Sequence, residues 1–419
     1  MTDLTTDCYP SPTNGAPLLT VVEARAAILA AADPVARVTQ RIVCADSLGR
    51  VLAESIRSPI DVPPHDNSAM DGYALRADDL GADWRLPIAQ RIAAGESPPP
   101  LPPGTAARIF TGAPIPDGAD TVVIQEECEI ASGWLRLRRA PQRGGNIRPR
   151  GNDIAAGQEV LAAGTRLDPR HLGLLASIGH REVSVRPRLR VALLTTGAEL
   201  TEPGEPLAPG RIYNSNRHLL AALLREQGCE LIDPGPVPDT LEATQAALRA
   251  AAATADLIVS TGGVSVGDED HVKAAVAACG QIALWRVNMK PGKPLLYGRI
   301  QAAHLIGLPG NPVSAYVTAL LFLLPLLRRL QGRDGPLFPE PESARLAHDW
   351  PRARPRREFL RARLVYEAGQ LPWAEPAQRQ GSDVLTGVAH ADGLLELPPD
   401  ATPKRGTIVN YWSLARLQA

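Results

Sequence analysis

The sequence predicts a multidomain protein of the α/β plus β class, and three observations lead to that prediction. The chain has 419 residues, more than the roughly 250–300 residues at which a single hydrophobic core stops growing. Strand-like runs alternate with helical patterns over residues 189–332, which is typical of an open α/β sheet. Short strand-like runs divided by turn residues fill residues 38–153 and 340–419. They predict a β-rich second domain and a small C-terminal β-domain.

In the N-terminal half, apolar residues at helical spacing predict a first helix over residues 18–32. Alternating patterns then predict short strands, a second helix and one more strand. These elements are strands at 85–94, 106–111, 121–130 and 133–139, a helix at 169–177 and a strand at 182–185. Residues 63–74 are mostly polar, small or turn-forming, so we expect a long loop there, either an idle surface loop or a functional one.

In the α/β region we expect a sheet with right-handed crossovers that binds ligands beyond the carboxyl ends of its strands. The predicted strands are 190–194, 230–232, 256–260, 282–287, 294–297 and 303–308. The predicted helices are 217–227, 241–253, 270–278 and 311–329. After a linker rich in glycine and proline, the predicted strands of the last domain are 358–366, 393–397 and 407–411.

The charge balance argues against a protein that binds nucleic acid or an anionic membrane surface. Lysine and arginine total 44 and aspartate and glutamate total 45, so the formal net charge is −1, whereas binding to polyanions by bulk charge needs an excess of basic residues. Hydrophobic residues make up 44% of the chain and charged residues 21%. This composition is ordinary for a globular protein and excludes global disorder.

The spacing of the cysteines and the length of the apolar runs exclude further classes of protein. The five cysteines are widely spread, without a C-x-x-C pair, so neither a disulfide framework nor a structural zinc site is expected. The first 15 residues lack the basic and apolar segments of a signal peptide. The longest apolar run, residues 315–327, is too short at about 13 residues to span a bilayer. We therefore expect a cytoplasmic protein.

Four loops of the α/β region suit an anionic ligand. They read TTGAEL (195–200), STGGVSVGDED (260–270), NMKPGKP (288–294) and GLPGNPVS (307–314). Glycine turns let backbone N–H groups approach a phosphate, Asp268 and Asp270 suit Mg²⁺, and Lys290 and Lys293 suit phosphate as point charges. Each loop alone is equally well explained as a turn, by acids in a first helical turn or by a helix N-cap at Asn311. Four such loops at one sheet edge nevertheless predict a binding site.

Three segments of the N-terminal half also combine turn residues with charges or hydroxyl groups. They read PPHDNSAMDGYA (63–74), FTGAP (110–114) and GGNIRPRGND (144–153). Six arginines lie between Arg136 and Arg150. Because aromatic residues are almost absent among them, a local arginine clamp on an oxyanion fits better than an RNA-binding surface.

Together these segments resemble the molybdopterin molybdenumtransferase family, which includes MoeA and the E domains of gephyrin and of the plant molybdenum insertase. The similarity runs in the family's order and covers essentially the whole chain. It lies in residues 66–74, 110–114, 146–153, 195–200, 262–270, 290–294 and 307–314. The resemblance implies an elongated homodimer of four-domain subunits. Residues 16–37 and 154–188 would form a linker and dimerisation domain, residues 38–153 the β-rich domain, residues 189–332 the open α/β molybdopterin-binding domain and residues 340–419 the C-terminal β-domain.

The resemblance also implies the reaction. Adenylylated molybdopterin and molybdate would be the substrates, the phosphoanhydride would be cleaved, AMP would leave and molybdenum would stay on the dithiolene. The cleft would be completed by the β-rich domain of the other subunit, and Mg²⁺ would be the cofactor. Other proteins of cofactor biosynthesis are possible partners by this resemblance, whereas nucleic acid and membrane are not.

Site residues follow from the resemblance, position by position. Those implied to be catalytic are Asp71, Glu199, Asp270 and Lys290. Those implied to bind substrate are Thr111, Arg148, Asp153, Gly262, Gly263, Ser265, Lys293, Pro309, Pro312 and Ser382. Those implied to hold the metal are Asp239, Asp268 and Asp270.

The sequence departs from the family pattern at a few positions. Ala198 stands where many relatives carry aspartate, Arg286 where lysine is common, and the turn around Asp239 is less acidic than usual, so the metal geometry stays open. Two other functions also stay open. One is a molybdopterin adenylyltransferase, which shares the α/β fold but has little beyond it. The other is a non-catalytic dimeric scaffold of the gephyrin E-domain type.

Overall fold

The computed structural model describes residues 18–263, 271–351 and 353–419. By its internal contacts the chain divides into two compact units. The large unit comprises the residues up to 40, residues 49–51 and residues 185–419, and the small unit comprises residues 41–48 and 52–184. The predicted α/β and C-terminal β parts both fall in the large unit and the β-rich part in the small one, which confirms the fold class. The four-domain boundaries stay a prediction.

A seven-stranded sheet forms the centre of the large unit. Its strands are Arg190–Thr196, Glu230–Ile232, Pro236–Val237, Leu257–Thr261, Gln281–Trp285, Leu296–Ile300 and Ala303–Leu308. Leu257–Thr261 lies between Arg190–Thr196 and Ala303–Leu308, and all three run parallel. Leu296–Ile300 and Gln281–Trp285 continue the sheet in antiparallel pairing. The three parallel strands are almost wholly buried, which explains their continuous apolar sequences.

Five helices of the large unit accompany this sheet, close to their predicted positions. They are Val21–Ala30, Ser215–Glu226, Leu241–Thr254, His271–Cys279 and the continuous helix Pro312–Leu330. Side-chain caps determine where three of them begin. Thr20 accepts a hydrogen bond from Glu23 N, Asn214 from Arg217 N and Thr240 from Ala243 N, each satisfying a backbone donor that has no partner within the helix.

The helix Pro312–Leu330 is the central element of the largest apolar core. It contains a π-helical segment, Ala319–Leu323, between two α-helical parts. Among the described residues it is the one helix long and apolar enough to cross a membrane by length and composition, but 94% of its most apolar window is buried inside the protein. Phe322 and its neighbours pack against Val21 and Ile28 of the first helix and the apolar face of the sheet. The hydropathy of this helix is therefore explained by its place in the core.

The C-terminal part of the large unit is a small barrel. Its strands are Met289–Lys290, Glu342–Leu346, Arg357–Val365, Trp373–Pro376, Gly393–Leu397 and Ile408–Ser413, with short helices Thr386–Ala389 and Leu414–Gln418. The ring closes because Arg357–Val365 pairs with both Trp373–Pro376 and Gly393–Leu397. Met289–Lys290, which the sequence suggested as a turn, adds to this sheet beside residues 357–358. That pairing joins distant segments, so local sequence could not indicate it.

The small unit is built on a six-stranded sheet. In spatial order its strands are Thr121–Ile124, Gly72–Leu75, Ala106–Ile109, Arg85–Ile92, Trp134–Leu137 and Cys128–Ala131. Two expectations were wrong. The predicted strand 121–130 is two strands separated by a turn at Gln125–Glu127, and part of the predicted loop 63–74 is the buried strand Gly72–Leu75. Gly72 allows close pairing with the strand Thr121–Ile124, since a Cβ on Gly72 would collide with Val123 O.

Short strand pairs and one helix complete the small unit. The pairs are Asn67–Ser68 with Ile147–Arg148, Ile56–Arg57 with Glu159–Leu161, and Gln40–Val43 with Glu182–Val185. The helix Pro169–Ser177 begins after Asp168, whose side chain accepts hydrogen bonds from the first turn. The first of these pairs brings two of the predicted functional segments, 63–74 and 144–153, side by side.

Candidate active site

A cleft of about 730 Å³ lies at the carboxyl ends of the parallel strands in the large unit. Its walls include the loops that follow four strands, which end at Thr196, Val237, Thr261 and Leu308. Six predicted site residues line it: Glu199, Asp239, Gly262, Gly263, Pro309 and Pro312. They come from four separate loops, so the fold brings together side chains that are up to 113 positions apart. This is the position where open α/β sheets bind ligands.

Two glycines let the cleft wall pack closely. Gly262 has φ +90° and Gly263 φ +62°, in the left-handed region that favours glycine. A Cβ on Gly262 would lie 2.5 Å from Thr196 O, and one on Gly263 would lie 2.8 Å from Val272 Cγ2. Side chains are therefore excluded at both positions, so an anionic ligand can approach the backbone closely there, although the Gly262 N–H itself donates to Leu308 O at 3.3 Å.

We expect Gly262→Ala to lower the free energy of unfolding by about 1–3 kcal/mol, because it combines a left-handed conformation with a collision against backbone. The matched control is Gly210→Ala. Gly210 also has a positive φ, +80°, but a Cβ there would meet nothing within 4 Å. Urea unfolding of both variants checks the prediction. If Gly262→Ala lowers the free energy of unfolding no more than Gly210→Ala does, the close contact between position 262 and Thr196 O is not what requires glycine.

A buried polar network fixes the loops against one another. Asn216 Nδ2 donates to Thr261 Oγ1 at 3.0 Å and to Gly310 O at 2.6 Å, and the Thr261 hydroxyl donates to Pro309 O at 3.0 Å. Asn216 is only 8% exposed. Because a carbonyl oxygen only accepts, Asn216 must point its amide nitrogen at Gly310, and the network has one orientation. Sequence analysis missed Asn216; the signal was its place in the first turn of a helix beside the capping residue Asn214.

Carboxylates give the cleft its charge. The Thr196 hydroxyl donates to Asp239 Oδ1 at 2.9 Å, which orients that half-buried side chain. Glu199 is exposed, and its carboxylate folds back over Gly197, where a Cβ would lie 2.7 Å from Glu199 Oε2. Asp383 of the C-terminal part also lines the cleft and was not predicted. Carboxylates beside glycine turns suit a cation held together with a phosphate.

The two lysines predicted for the site do not line the cleft. Lys290 Nζ lies 2.9 Å from Glu358 Oε1. That glutamate is buried, and it also accepts a hydrogen bond from Trp350 Nε1. The side chain of Lys290 is thus held by the C-terminal barrel. Lys293 is half-buried and adjoins Pro294, which lines the cleft.

Ser382 lies at the start of the long helix. Its hydroxyl accepts a hydrogen bond from Asn311 Nδ2 at 3.0 Å, and its carbonyl accepts one from Val313 N at 3.0 Å. Asn311 occupies the N-cap position, as its sequence context suggested, but its side chain bonds Ser382 and makes no capping hydrogen bond. The helix start is therefore satisfied from the C-terminal part of the chain, which a local reading of the sequence could not show.

In the small unit, Asp71 and Thr111 are in direct contact. The backbone N–H and the hydroxyl of Thr111 both donate to Asp71 Oδ1, each at 2.8 Å. These two hydrogen bonds lower the pKa of Asp71 below its ordinary value, and the nearby charge of Arg108 adds to the effect. Asp71 is exposed, so this carboxylate is both ionised and accessible.

Arg148 and Asp153 lie in the same region of the small unit. Arg148 pairs with Asn67 in the short two-stranded ladder, and Asp153 N donates to Val62 O. Both side chains are exposed, and the Arg148 guanidinium makes no hydrogen bond or ion pair with the described residues. Arg150, by contrast, is paired with Asp61. Arg148 is thus the better placed of the two to bind an anion. The remaining predicted residues, Ser265, Asp268 and Asp270, lie outside the described residues.

Three protein-family models match the chain in succession. The MoeA N-terminal region (domain I and II) matches residues 19–179, a probable molybdopterin binding domain matches residues 192–329, and the MoeA C-terminal region (domain IV) matches residues 343–414. The molybdopterin molybdenumtransferase of Haemophilus influenzae is 40% identical over 383 residues, covering 91% of this chain and 94% of that protein. The chain belongs to the molybdopterin molybdenumtransferase family.

Other members of the molybdopterin molybdenumtransferase family agree. Molybdopterin molybdenumtransferase 2 of Mycobacterium tuberculosis is 39% identical and covers 87% of this chain and 93% of its own. The crystal structure of a molybdopterin biosynthesis MoeA protein from Pyrococcus horikoshii OT3 superposes with a TM-score of 0.80 at 28% identity, covering 94% of this chain and 99% of that one. The resemblance found in the sequence is thereby confirmed. As a member of this family, the chain is a transferase of molybdenum cofactor biosynthesis.

Proposed function

We propose that the chain transfers molybdenum from molybdate to adenylylated molybdopterin, cleaves the phosphoanhydride and releases AMP. The observation that carries this proposal is the cleft in the region matching the molybdopterin binding domain, where glycine turns lie beside the carboxylates Glu199 and Asp239. Backbone N–H groups in such turns bind phosphate oxygens. The carboxylates beside them can hold a cation, which would neutralise the additional negative charge that develops when a phosphoanhydride breaks.

The substrate would be held by the loops that line the cleft. We assign phosphate binding to Gly262 and Gly263, with Ser265 in the same loop, and contact with the rest of the substrate to Pro309 and Pro312. These assignments follow from the exclusion of side chains at the two glycines and from the hydrogen-bond network that fixes Pro309. Preformed positions of this kind reduce the entropy lost when the substrate binds.

The cationic side chains would act on the phosphates in different ways. Lys293 adjoins the cleft-lining Pro294 in the sequence, and we assign it to neutralising phosphate charge at the edge of the cleft. Lys290 is paired with Glu358, so its proposed catalytic role requires exchange of that carboxylate for a phosphate oxygen. Ser382, bonded to Asn311, would contribute a hydroxyl from the C-terminal part.

Mg²⁺ is the proposed metal, and the residues present fit it. The described residues contain no group of three or more His, Cys, Asp and Glu side chains that could hold a metal ion, but Mg²⁺ prefers one or two carboxylates together with phosphate and water. Glu199 and Asp239 supply that number in one cleft, and Asp268 and Asp270 are the further proposed ligands. When bound, the ion would neutralise phosphate charge and help AMP leave.

The small unit would supply the other half of the chemistry. By resemblance, we propose a homodimer in which Asp71, Thr111, Arg148 and Asp153 complete the cleft of the partner subunit. The accessible guanidinium of Arg148 suits molybdate, a tetrahedral dianion, and the ionised Asp71 suits a catalytic base or a metal contact. We further propose a cytoplasmic enzyme that exchanges its substrate and product with other proteins of cofactor biosynthesis.

The deciding experiment mixes the purified full chain with adenylylated molybdopterin, Mg²⁺ and molybdate. We expect AMP release that depends on molybdate, and a product that activates a cofactor-free molybdenum enzyme. A second mixture contains molybdopterin and ATP in place of the adenylylated substrate, and formation of adenylylated molybdopterin there would instead indicate the adenylyltransferase. Binding of the adenylylated substrate without any AMP release would indicate the non-catalytic scaffold.

We expect Glu199→Gln to raise the Mg²⁺ concentration needed for half-maximal AMP release by about tenfold or more, because one of the two carboxylates proposed to bind the ion among the described residues loses its charge. Titration with MgCl₂, including a sample treated with EDTA, measures this. The matched control is Glu205→Gln, an exposed carboxylate on the same loop that does not line the cleft. The same Mg²⁺ requirement in both variants would remove Glu199 from the metal site.

A further inference from the structure

One wall of the cleft is formed by a flap, residues 197–214, between the first strand of the sheet and the helix Ser215–Glu226. Two short strands of the flap pair in parallel, with Leu200 beside Ile212 and Thr201 beside Tyr213. Because side chains alternate along a strand, Leu200 and Ile212 share one face. Both line the cleft, as does Tyr213 at the end of the second strand, whereas Thr201 does not. The pairing therefore turns an apolar face towards the ligand space.

This face is exposed and lies beside the charged part of the site. Ile212 is 55% exposed, and its backbone N–H donates to Glu199 O at 2.8 Å. Leu207, on the same flap, is similarly exposed at 47% but does not line the cleft. An apolar side chain that faces a ligand cleft gains free energy when a ligand covers it. Ile212 can make that gain in the cleft, and Leu207 cannot.

The flap is held in place by hydrogen bonds. Asn214 Nδ2 donates to Thr195 Oγ1 at 3.1 Å and to Glu202 Oε1 at 3.0 Å, and Asn214 N donates to Thr201 O. Arg211 Nη1 donates to Leu200 O at 3.1 Å. The apolar face is thus preformed, and a ligand does not have to order it.

We propose that Leu200 and Ile212 form an apolar wall against which a flat heteroaromatic ring of the substrate packs. This inference rests on the proposed function, whose substrate carries two such rings, the pterin and the adenine. A flat ring matches the face because two neighbouring side chains on adjacent strands present one shallow surface. The phosphates of the same substrate would then lie towards Glu199 and the glycine turns, which adjoin the wall.

The test compares three probes on the full chain by calorimetry: AMP, ribose 5-phosphate, which lacks the adenine ring, and pterin-6-carboxylate. Ile212→Thr keeps the branched Cβ and removes apolar surface, and Leu207→Thr is the matched control. We expect Ile212→Thr to weaken the binding of one of the two ring-bearing probes about fivefold, because less apolar surface is buried when the ring binds. Ribose 5-phosphate should bind both variants as it binds the unmodified chain. If Ile212→Thr lowers the affinity for AMP, the wall contacts the adenine ring. If it lowers the affinity for pterin-6-carboxylate, the wall contacts the pterin.

Three results would overturn the proposed wall. The first is that Ile212→Thr leaves the affinity for every probe unchanged, and the second is that Leu207→Thr weakens the affinity equally. The third is that Ile212→Thr weakens binding of ribose 5-phosphate as much as binding of AMP and leaves binding of pterin-6-carboxylate unchanged. The experiment distinguishes failure of the proposed wall from failure of the proposed function. A chain that releases AMP in the molybdate assay without a ring-dependent loss refutes the wall alone. A chain that fails that assay but shows the ring-dependent loss refutes the reaction alone.

Discussion

We expect Asp71→Asn to lower molybdate-dependent AMP release by about 100-fold or more, the range typical of removing a catalytic acid or base, and to leave the fold intact. The asparagine keeps the Oδ1 acceptor for the backbone N–H and hydroxyl of Thr111, which hold Asp71 in place. The side chain is exposed, so no buried group loses its partner. What the substitution removes is the negative charge, and its effect on rate therefore measures that charge.

The pH profile supplies a second measurement on Asp71. Because the Thr111 hydrogen bonds lower its pKa, the charged form persists to more acidic pH than for an ordinary aspartate. The rate of the unmodified chain should accordingly be retained on acidification until the pH falls through that lowered pKa. Asp71→Asn should lack this acid limb.

A matched control comes from the same unit. Asp78 is exposed at its side chain and forms a long ion pair with Arg143, at 3.5 Å. Asp78→Asn should leave the rate and its pH profile unchanged. If Asp71→Asn retains the rate of Asp78→Asn, Asp71 has no place in the chemistry.

We expect Phe322→Ala to lower the free energy of unfolding by about 3–5 kcal/mol, the usual cost of truncating a buried aromatic side chain to alanine. Phe322 is fully buried in the helix Pro312–Leu330, within a core of leucine and valine side chains. The neighbouring residues of that helix are themselves buried, so they cannot easily move to fill the space. A cavity remains, and its lining loses dispersion contacts.

Urea unfolding followed by tryptophan fluorescence measures the loss, with Val22→Ala as the control. Val22 lies on the helix Val21–Ala30 but is 56% exposed, so its truncation should change stability by at most about 0.5 kcal/mol. Phe322 lies ten positions after Pro312, which lines the cleft, and the folded fraction of Phe322→Ala should keep its AMP release. A change below 1 kcal/mol, on the order of a surface substitution, would show that the core repacks around the deletion.

The parts of the fold that were predicted are those encoded locally. The strands Leu257–Thr261 and Ala303–Leu308 were found because strands buried on both faces read as apolar runs. The helix Leu241–Thr254 was found because its apolar residues recur at helical spacing and Thr240 caps it. The glycine turn at Gly262 was found from its composition, and its reason lies in the structure, where Thr196 O approaches too closely for a side chain.

The errors lie where distant segments decide the outcome. The strand Gly72–Leu75 reads as loop because glycine and alanine carry little strand signal; it is a strand because neighbours on both sides pair with it. The break at Gln125–Glu127 arises because the two flanking strands pair with different partners. Lys290 looks like a free cation in the sequence, and only the barrel shows that Glu358 holds it.

By itself the sequence determined the family, the fold class and the types of residue available to the site. The glycine turns, acidic residues and lysines that follow four predicted strands are evident from their order and spacing along the chain. Only the tertiary structure decided which of those groups share one cleft and which are held elsewhere by another side chain. It also showed that Asn216, Asp383 and Ile212 line the same cleft. The physical reason is that a side chain's accessibility, charge state and contacts depend on residues far away in the chain. Those residues approach only when the sheet and the barrel have closed.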